Sequence, residues 1–180
     1  RNRKKLLFDH DFYRKYADKI CYIVLKEEDF LGISDGWDIE FARRDLILDH
    51  LIDMKIKDND TIIFSDVDEI INPGVLHLAN GDNIFMYKQM FFNFYGNYAC
   101  ITHPIWTHAI STSFASCKKF GLMNCRLSKR RKIGKIKFID NGGWHFSYLG
   151  GLKTVIDKNN KFIDGHVLEK KIKNFEPSFF

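Results

Sequence analysis

Apolar and polar positions alternate along the chain in a way that predicts a short list of elements. Ile62-Ile63-Phe64 is a brief apolar run rich in β-branched and aromatic residues and bounded by polar turns, which reads as a buried strand. Lys19 to Leu25 reads as another strand, and Lys26 to Gly36 as a loop. The clearest helix spans Trp37 to Lys57. Its apolar positions Phe41, Ile47 or Leu48, Leu51 and Met54 recur at helical spacing, and Glu40, Arg43, Arg44, Asp45 and Asp49 form the polar face. Asp38 is placed to cap its start, and Asp58-Asn59-Asp60 ends it. Strand, loop, helix and strand in this order predict a βαβ unit with a parallel pair and a right-handed crossover.

Downstream the pattern is less regular. Asp9 to Ala17 reads as a short helix or an irregular link, Gly74 to Leu78 as one helical turn, and Asn80 to Asn83 as a turn. Ile84 to Met90 reads as a strand, followed by an aromatic stretch from Phe91 to Ile101. Phe138-Ile139 looks like a strand end. Helices are expected over Leu152 to Ile156 and near Val167 to Phe175. No repeat or domain boundary is visible, so residues 1–180 are expected to form one domain, with the opening Arg1-Asn2-Arg3-Lys4-Lys5 suggesting a cut within a longer chain.

Composition narrows the classes. Hydrophobic residues make up 45% and charged residues 28%, ordinary values for a soluble globular chain. No apolar run approaches the ~20 residues of a membrane helix, and no signal peptide is visible, which favours a soluble, cytoplasmic chain. Cys21, Cys100, Cys117 and Cys125 include no C-x-x-C pair, so free and mostly buried thiols are expected. The net charge of +5 comes largely from Arg126 to Lys137. That run has no interleaved aromatics, and lysine outnumbers arginine throughout, so nucleic acid is not the expected partner.

The chemistry begins where the Ile62–Phe64 strand ends, at Asp66-Val67-Asp68-Glu69, closed by Asn72-Pro73. On an extended chain, residues two apart point the same way, so Asp66 and Asp68 could share one target. Adjacent carboxylates repel, and a divalent cation relieves the repulsion. Oxygen ligands suit Mg2+ or Mn2+ completed by substrate phosphates. The plainer reading is a solvated acidic turn.

A second constellation is Asp140-Asn141-Gly142-Gly143-Trp144-His145. Paired glycines let the main chain approach a ligand closely, His145 could add a nitrogen ligand, and Trp144 could stack on a sugar or a base. A structural histidine and a core tryptophan are the alternatives. Arg43, Arg44 and Arg126 are candidates to neutralise a diphosphate, with Lys129, Arg130 and Arg131 as further cations of the basic run.

Three stretches together resemble glycosyltransferase family 17: Glu40-Phe41-Ala42-Arg43-Arg44, Ile63 to Ile70 with its S-D-V-D-E-I core, and Gly142-Gly143-Trp144-His145-Phe146-Ser147. The resemblance covers about Leu6 to Leu152. It implies an α/β, GT-A-like (Rossmann-like) fold with a mixed, mainly parallel sheet flanked by helices, here lacking the first family strand. It implies an inverting transferase that moves a sugar such as N-acetylglucosamine from a UDP-sugar to a glycan or other hydroxyl acceptor, with Mn2+ or Mg2+ as cofactor. Asp66, Asp68 and His145 would hold the metal. Asp66, Arg43, Arg44, Arg126 and Trp144 would bind the donor, and Asp140 or Glu69 would be the catalytic base. A phosphatase of the haloacid dehalogenase type, with Asp66 as nucleophile, and a non-catalytic nucleotide-sugar-binding relative are the rival readings.

Overall fold

The computed structural model describes residues 9–33, 36–151 and 154. The helices expected over 152–156 and 167–175 lie outside the described residues, apart from Thr154. Two compact units emerge, Arg1–Ile33 and Ser34–Phe180.

In the first unit, a run of turns leads into a 3-10 helix over Arg14–Lys19, and a second 3-10 helix spans Glu27–Phe30. The strand expected at Lys19 to Leu25 does not form. β-branched side chains favour extended backbone, but a strand exists only by pairing, and this segment joins no ladder. The predicted βαβ unit is therefore absent.

The second unit opens with α1 (Gly36–Asp53), followed by β1 (Thr61–Phe64), β2 (Glu69–Ile71), a 3-10 helix over Pro73–Leu78 and β3 (Ile84–Asn93). Then come β4 (Ile105–Trp106), β5 (Ile110–Ser113), α2 (Phe114–Phe120), α3 (Leu122–Arg126), α4 (Ser128–Arg131) and β6 (Ile136–Ser147). Asn72 caps the 3-10 helix by accepting from the Gly74 amide at 3.0 Å.

The strands form one sheet in the order β1-β5-β3-β6-β2, with β4 also pairing with β3. Only β3 and β6 run parallel; the pairings β1–β5, β3–β5, β3–β4 and β2–β6 are antiparallel. This corrects the expectation of a mainly parallel, helix-flanked Rossmann-like sheet. The sheet is mixed, mostly antiparallel and curled into a half-barrel, with few helices. Chain geometry supplies the reason. A parallel pair needs a crossover of a dozen or more residues. The links β1–β2 and β4–β5 are far shorter, whereas the segment from β3 to β6 is long enough to hold α2, α3 and α4.

β3 lies between two apolar layers, as alternation along a strand requires. Ile84 and Met86 join Phe64, Ile110, Phe114, Cys117, Leu122, Met123 and Cys125, against which Phe41, Ile47, Leu48 and Leu51 of α1 pack. The helix face read from the sequence is thus correct except for Met54, which follows the helix end and is exposed. Phe85 and Tyr87 join Ala79, Ala109 and Ile139 on the other side. No helix of the described residues is long and apolar enough to cross a membrane.

The glycine pair has a packing explanation. A side chain on Gly142 would meet the Lys88 amide and Tyr87 Cβ at 2.7 Å, and one on Gly143 would meet the Ile70 carbonyl at 2.1 Å. β6 is squeezed between β3 and β2 where its register to β3 shifts, and Gly143 has φ +121°. The close approach is to neighbouring strands.

Candidate functional site

The acidic segment after β1 is a turn, not an extended continuation. The Glu69 amide donates to the Asp66 carbonyl at 3.0 Å, and the Asp66 amide donates to Glu69 Oε2 at 2.8 Å. Val67, at 98% exposure, is the tip. Because the chain turns, Asp66 and Asp68 face different partners. Asp66 Oδ2 lies 2.6 Å from Arg126 Nη2, and Asp66 Oδ1 lies 3.2 Å from Arg44 Nη2. Asp68 Oδ1 lies 3.8 Å from His145 Nδ1, and the Asp68 carbonyl accepts from the Phe146 amide at 2.9 Å.

Glu69 is the buried hub. Arg126 Nη1 and Nη2 donate to its two oxygens at 3.0 and 2.8 Å, and Trp106 Nε1 donates to Oε1 at 2.6 Å. Arg126 is itself only 3% exposed and sits over the Phe64 ring at 5.2 Å. Burial pushes the Glu69 carboxyl up, but the Arg126 charge and the donors from Arg126, Trp106 and the Asp66 amide outweigh it, so Glu69 titrates below the ordinary carboxylate value. Its oxygens are taken up by Arg126, Trp106 and the Asp66 amide, so Glu69 joins the turn to Arg126 and β4.

Around Glu69 the sheet brings in aromatic residues. His145 is its register partner across β2–β6, and Phe91 is the partner of His145 across β3–β6. The Trp106 indole stacks on the His145 ring at 4.3 Å and 7°, and on the His108 ring at 4.4 Å and 29°. Gln89, fully buried, donates to the Ile70 and Trp144 carbonyls and braces β2 and β6. Sequence reasoning misses Trp106, His108 and Gln89. They lie in no motif, and only strand pairing reveals them.

The other candidates distribute as follows. Arg44 joins the cluster and also pairs with Glu40 at 2.8 Å. Arg43 lies 3.9 Å from Glu40 on the same helix. Trp144 is adjacent to His145 on β6, so its side chain projects to the opposite face of the sheet, in register with Ile70 and Met90. Asp140 is exposed, and its carboxylate meets Lys88 Nζ at 2.8 Å. From the basic run only Arg126 reaches the cluster; Arg130 and Arg131 on α4 are exposed. A cavity lined by Asp82, Ser116, Lys119, Phe120 and Lys135 shares no residue with the site.

Metal chemistry can be tested against these contacts. Among the described residues no group of three or more His, Cys, Asp or Glu is placed to hold an ion. Asp66, expected to share a cation with Asp68, has a guanidinium near each oxygen, which already neutralises it. Asp68 and His145 bring two donors, an oxygen and a nitrogen, to 3.8 Å of each other, which falls short of such a group.

Comparison of the chain with family models, curated proteins and solved structures returns no match.

Proposed function

We propose that the chain is a glycosyltransferase that moves a sugar from a nucleoside diphosphate to a hydroxyl acceptor. One observation carries this reading. Residues of the three stretches that resemble family 17 meet across the chain: Arg44 reaches Asp66, 22 positions on, and Asp68 faces His145, 77 positions on.

Arg126 clamps Asp66 and Glu69 and fixes the turn, so Asp68 is presented at its rim. Arg44 ties α1 to that turn, and Arg43 lies next to it on the helix as a second guanidinium that a diphosphate could use. His145 is oriented by Trp106 and Phe91. A Mn2+ or Mg2+ ion on Asp68 and His145 would neutralise charge on the departing nucleoside diphosphate. The phosphatase alternative is disfavoured because both oxygens of Asp66, its required nucleophile, face guanidinium groups.

The test is transfer from, or hydrolysis of, UDP-N-acetylglucosamine and related UDP-sugars with Mn2+. Asp68→Ala is expected to lose about 100-fold or more. Equal turnover by the variant would remove the proposed site.

A further inference from the structure

The carboxylates at the cluster each meet a cation or a ring, so a neutral imidazole beside them is the next group to weigh. Glu69 is sealed under Arg126 and Trp106, Asp140 is held by Lys88, and Asp66 is held by Arg44 and Arg126. Asp68 faces His145 and, in the function proposed above, is given to the cation. A different proton acceptor stands beside them. His108 lies in the three-residue link between β4 and β5, partly exposed, with its ring stacked on Trp106. Trp106 is pinned by Glu69 and by β3, where it pairs with Gln89, so the platform under His108 is rigid.

We infer that His108 is the general base of the transfer, an inference that rests on the glycosyltransferase reading above. The step is a single displacement. An acceptor O–H gives its proton to the neutral imidazole as its oxygen forms a bond to the anomeric carbon. The bond from that carbon to the β-phosphate oxygen breaks, and its electron pair leaves with the nucleoside diphosphate. The imidazolium then returns the proton to water.

The electrostatics agree with this role. Burial lowers the affinity of His108 for a proton, and the Arg126 charge on α3 lowers it further. Glu69 on β2 and Asp66 in the turn raise it, and His145 on β6 lowers it again; the net effect is to place His108 below the ordinary value of 6.5. The ring is therefore neutral at pH 7 and has a lone pair to offer. Glu69 and Asp66 offset part of that cost when the imidazolium forms.

Two measurements on the same protein test the assignment. In transfer assays with Mn2+, His108→Ala is expected to lower kcat by about 100-fold to 10,000-fold and to recover activity with added imidazole. The stabilisation of that variant by UDP and Mn2+ should match the parent protein, since His108 acts on the acceptor. Full activity of His108→Ala, or a loss that imidazole does not restore in a protein that still binds UDP, would overturn the base assignment alone. Absence of transfer and of UDP binding in the parent protein would overturn the transferase reading and this inference together.

Discussion

Glu69 and Ile70, His145 and Trp144, Phe91 and Met90, and Trp106 and Ile105 are chain neighbours with opposite surroundings. The first of each pair faces the Glu69–Arg126–Trp106 cluster. The second lies on the other face of the sheet in one cross-strand row, Ile70–Trp144–Met90–Ile105, between 38% and 51% exposed. Polar and ionised groups are inside, and apolar ones meet solvent. That inverts the usual arrangement, and a buried polar group is more informative than an exposed leucine would be. A fold that required only stability would gain more from apolar residues at Glu69 and Arg126, because desolvating a charge pair costs most of what the pair returns. The buried charges are explained by the turn they fix, which carries Asp68 at its rim.

The comparison can be broken most severely at Arg126. Arg126→Ala leaves Glu69 buried without its counter-charge and should cost about 3–5 kcal/mol, read from urea unfolding. The double variant Arg126→Met with Glu69→Leu should lose less than the sum of the two single changes. A strictly additive result would mean that the two side chains are not energetically coupled.

Gly143→Ala comes next. The new methyl would collide with the Ile70 carbonyl at a positive φ, and the expected loss is about 1–3 kcal/mol. Thermal melts of Gly143→Ala and of Gly81→Ala separate the two contributions. Gly81 also has positive φ, but a Cβ there would meet nothing within 4 Å, so Gly143→Ala should melt lower. Equal shifts would show that backbone strain alone is responsible.

A smaller effect comes from pH. His108 has a depressed proton affinity in the folded chain. Its contribution is therefore fully present above the unfolded value of 6.5 and declines as pH falls through the folded value, because the unfolded chain binds the proton more readily. Urea midpoints between pH 7 and pH 5 should fall, and His108→Gln should flatten that slope. Glu69 acts in a separate, more acidic window, since its stabilisation is present above the ordinary 4.5 and is lost below it. An unchanged slope in His108→Gln would place the titration elsewhere.

The outward row should respond least. Met90→Ser or Ile105→Ser is expected to change stability by no more than about 0.5 kcal/mol, measured in the same urea experiment. A loss comparable to that of Arg126→Ala would show that the row is covered in the folded protein.

Local pattern makes some of this legible and conceals the rest for identifiable reasons. The apolar face of α1 follows from local period and is present. The Ile62 run does form a strand, but at the sheet edge with Ile63 exposed rather than buried, and Asn72-Pro73 starts a 3-10 helix after β2 instead of closing the acidic turn. Strand direction is not written in periodicity, so Lys19 to Leu25 and the Ile62 run suggest a parallel unit that the chain does not make. The D-x-D spacing implies a shared target only on extended backbone, whereas Glu69 returns to bond the Asp66 amide and turns the two aspartates toward different partners. The glycine pair suggests room for a ligand and proves to be room for two strands. Trp106 and His108 are ordinary residues in an unpatterned segment, and only their pairing beside β3 places them at the cluster.

The central claim is that Asp68, held at the rim of an arginine-clamped turn opposite His145, binds the phosphates of a sugar nucleotide through a divalent cation. The most direct measurement is the unfolding free energy with UDP and Mn2+ together, in the parent protein and in Asp68→Ala. The account predicts stabilisation of about 2.7 kcal/mol at a hundredfold excess over Kd, requiring both components and absent from Asp68→Ala. No stabilisation of the parent protein, or equal stabilisation of the two, would contradict it.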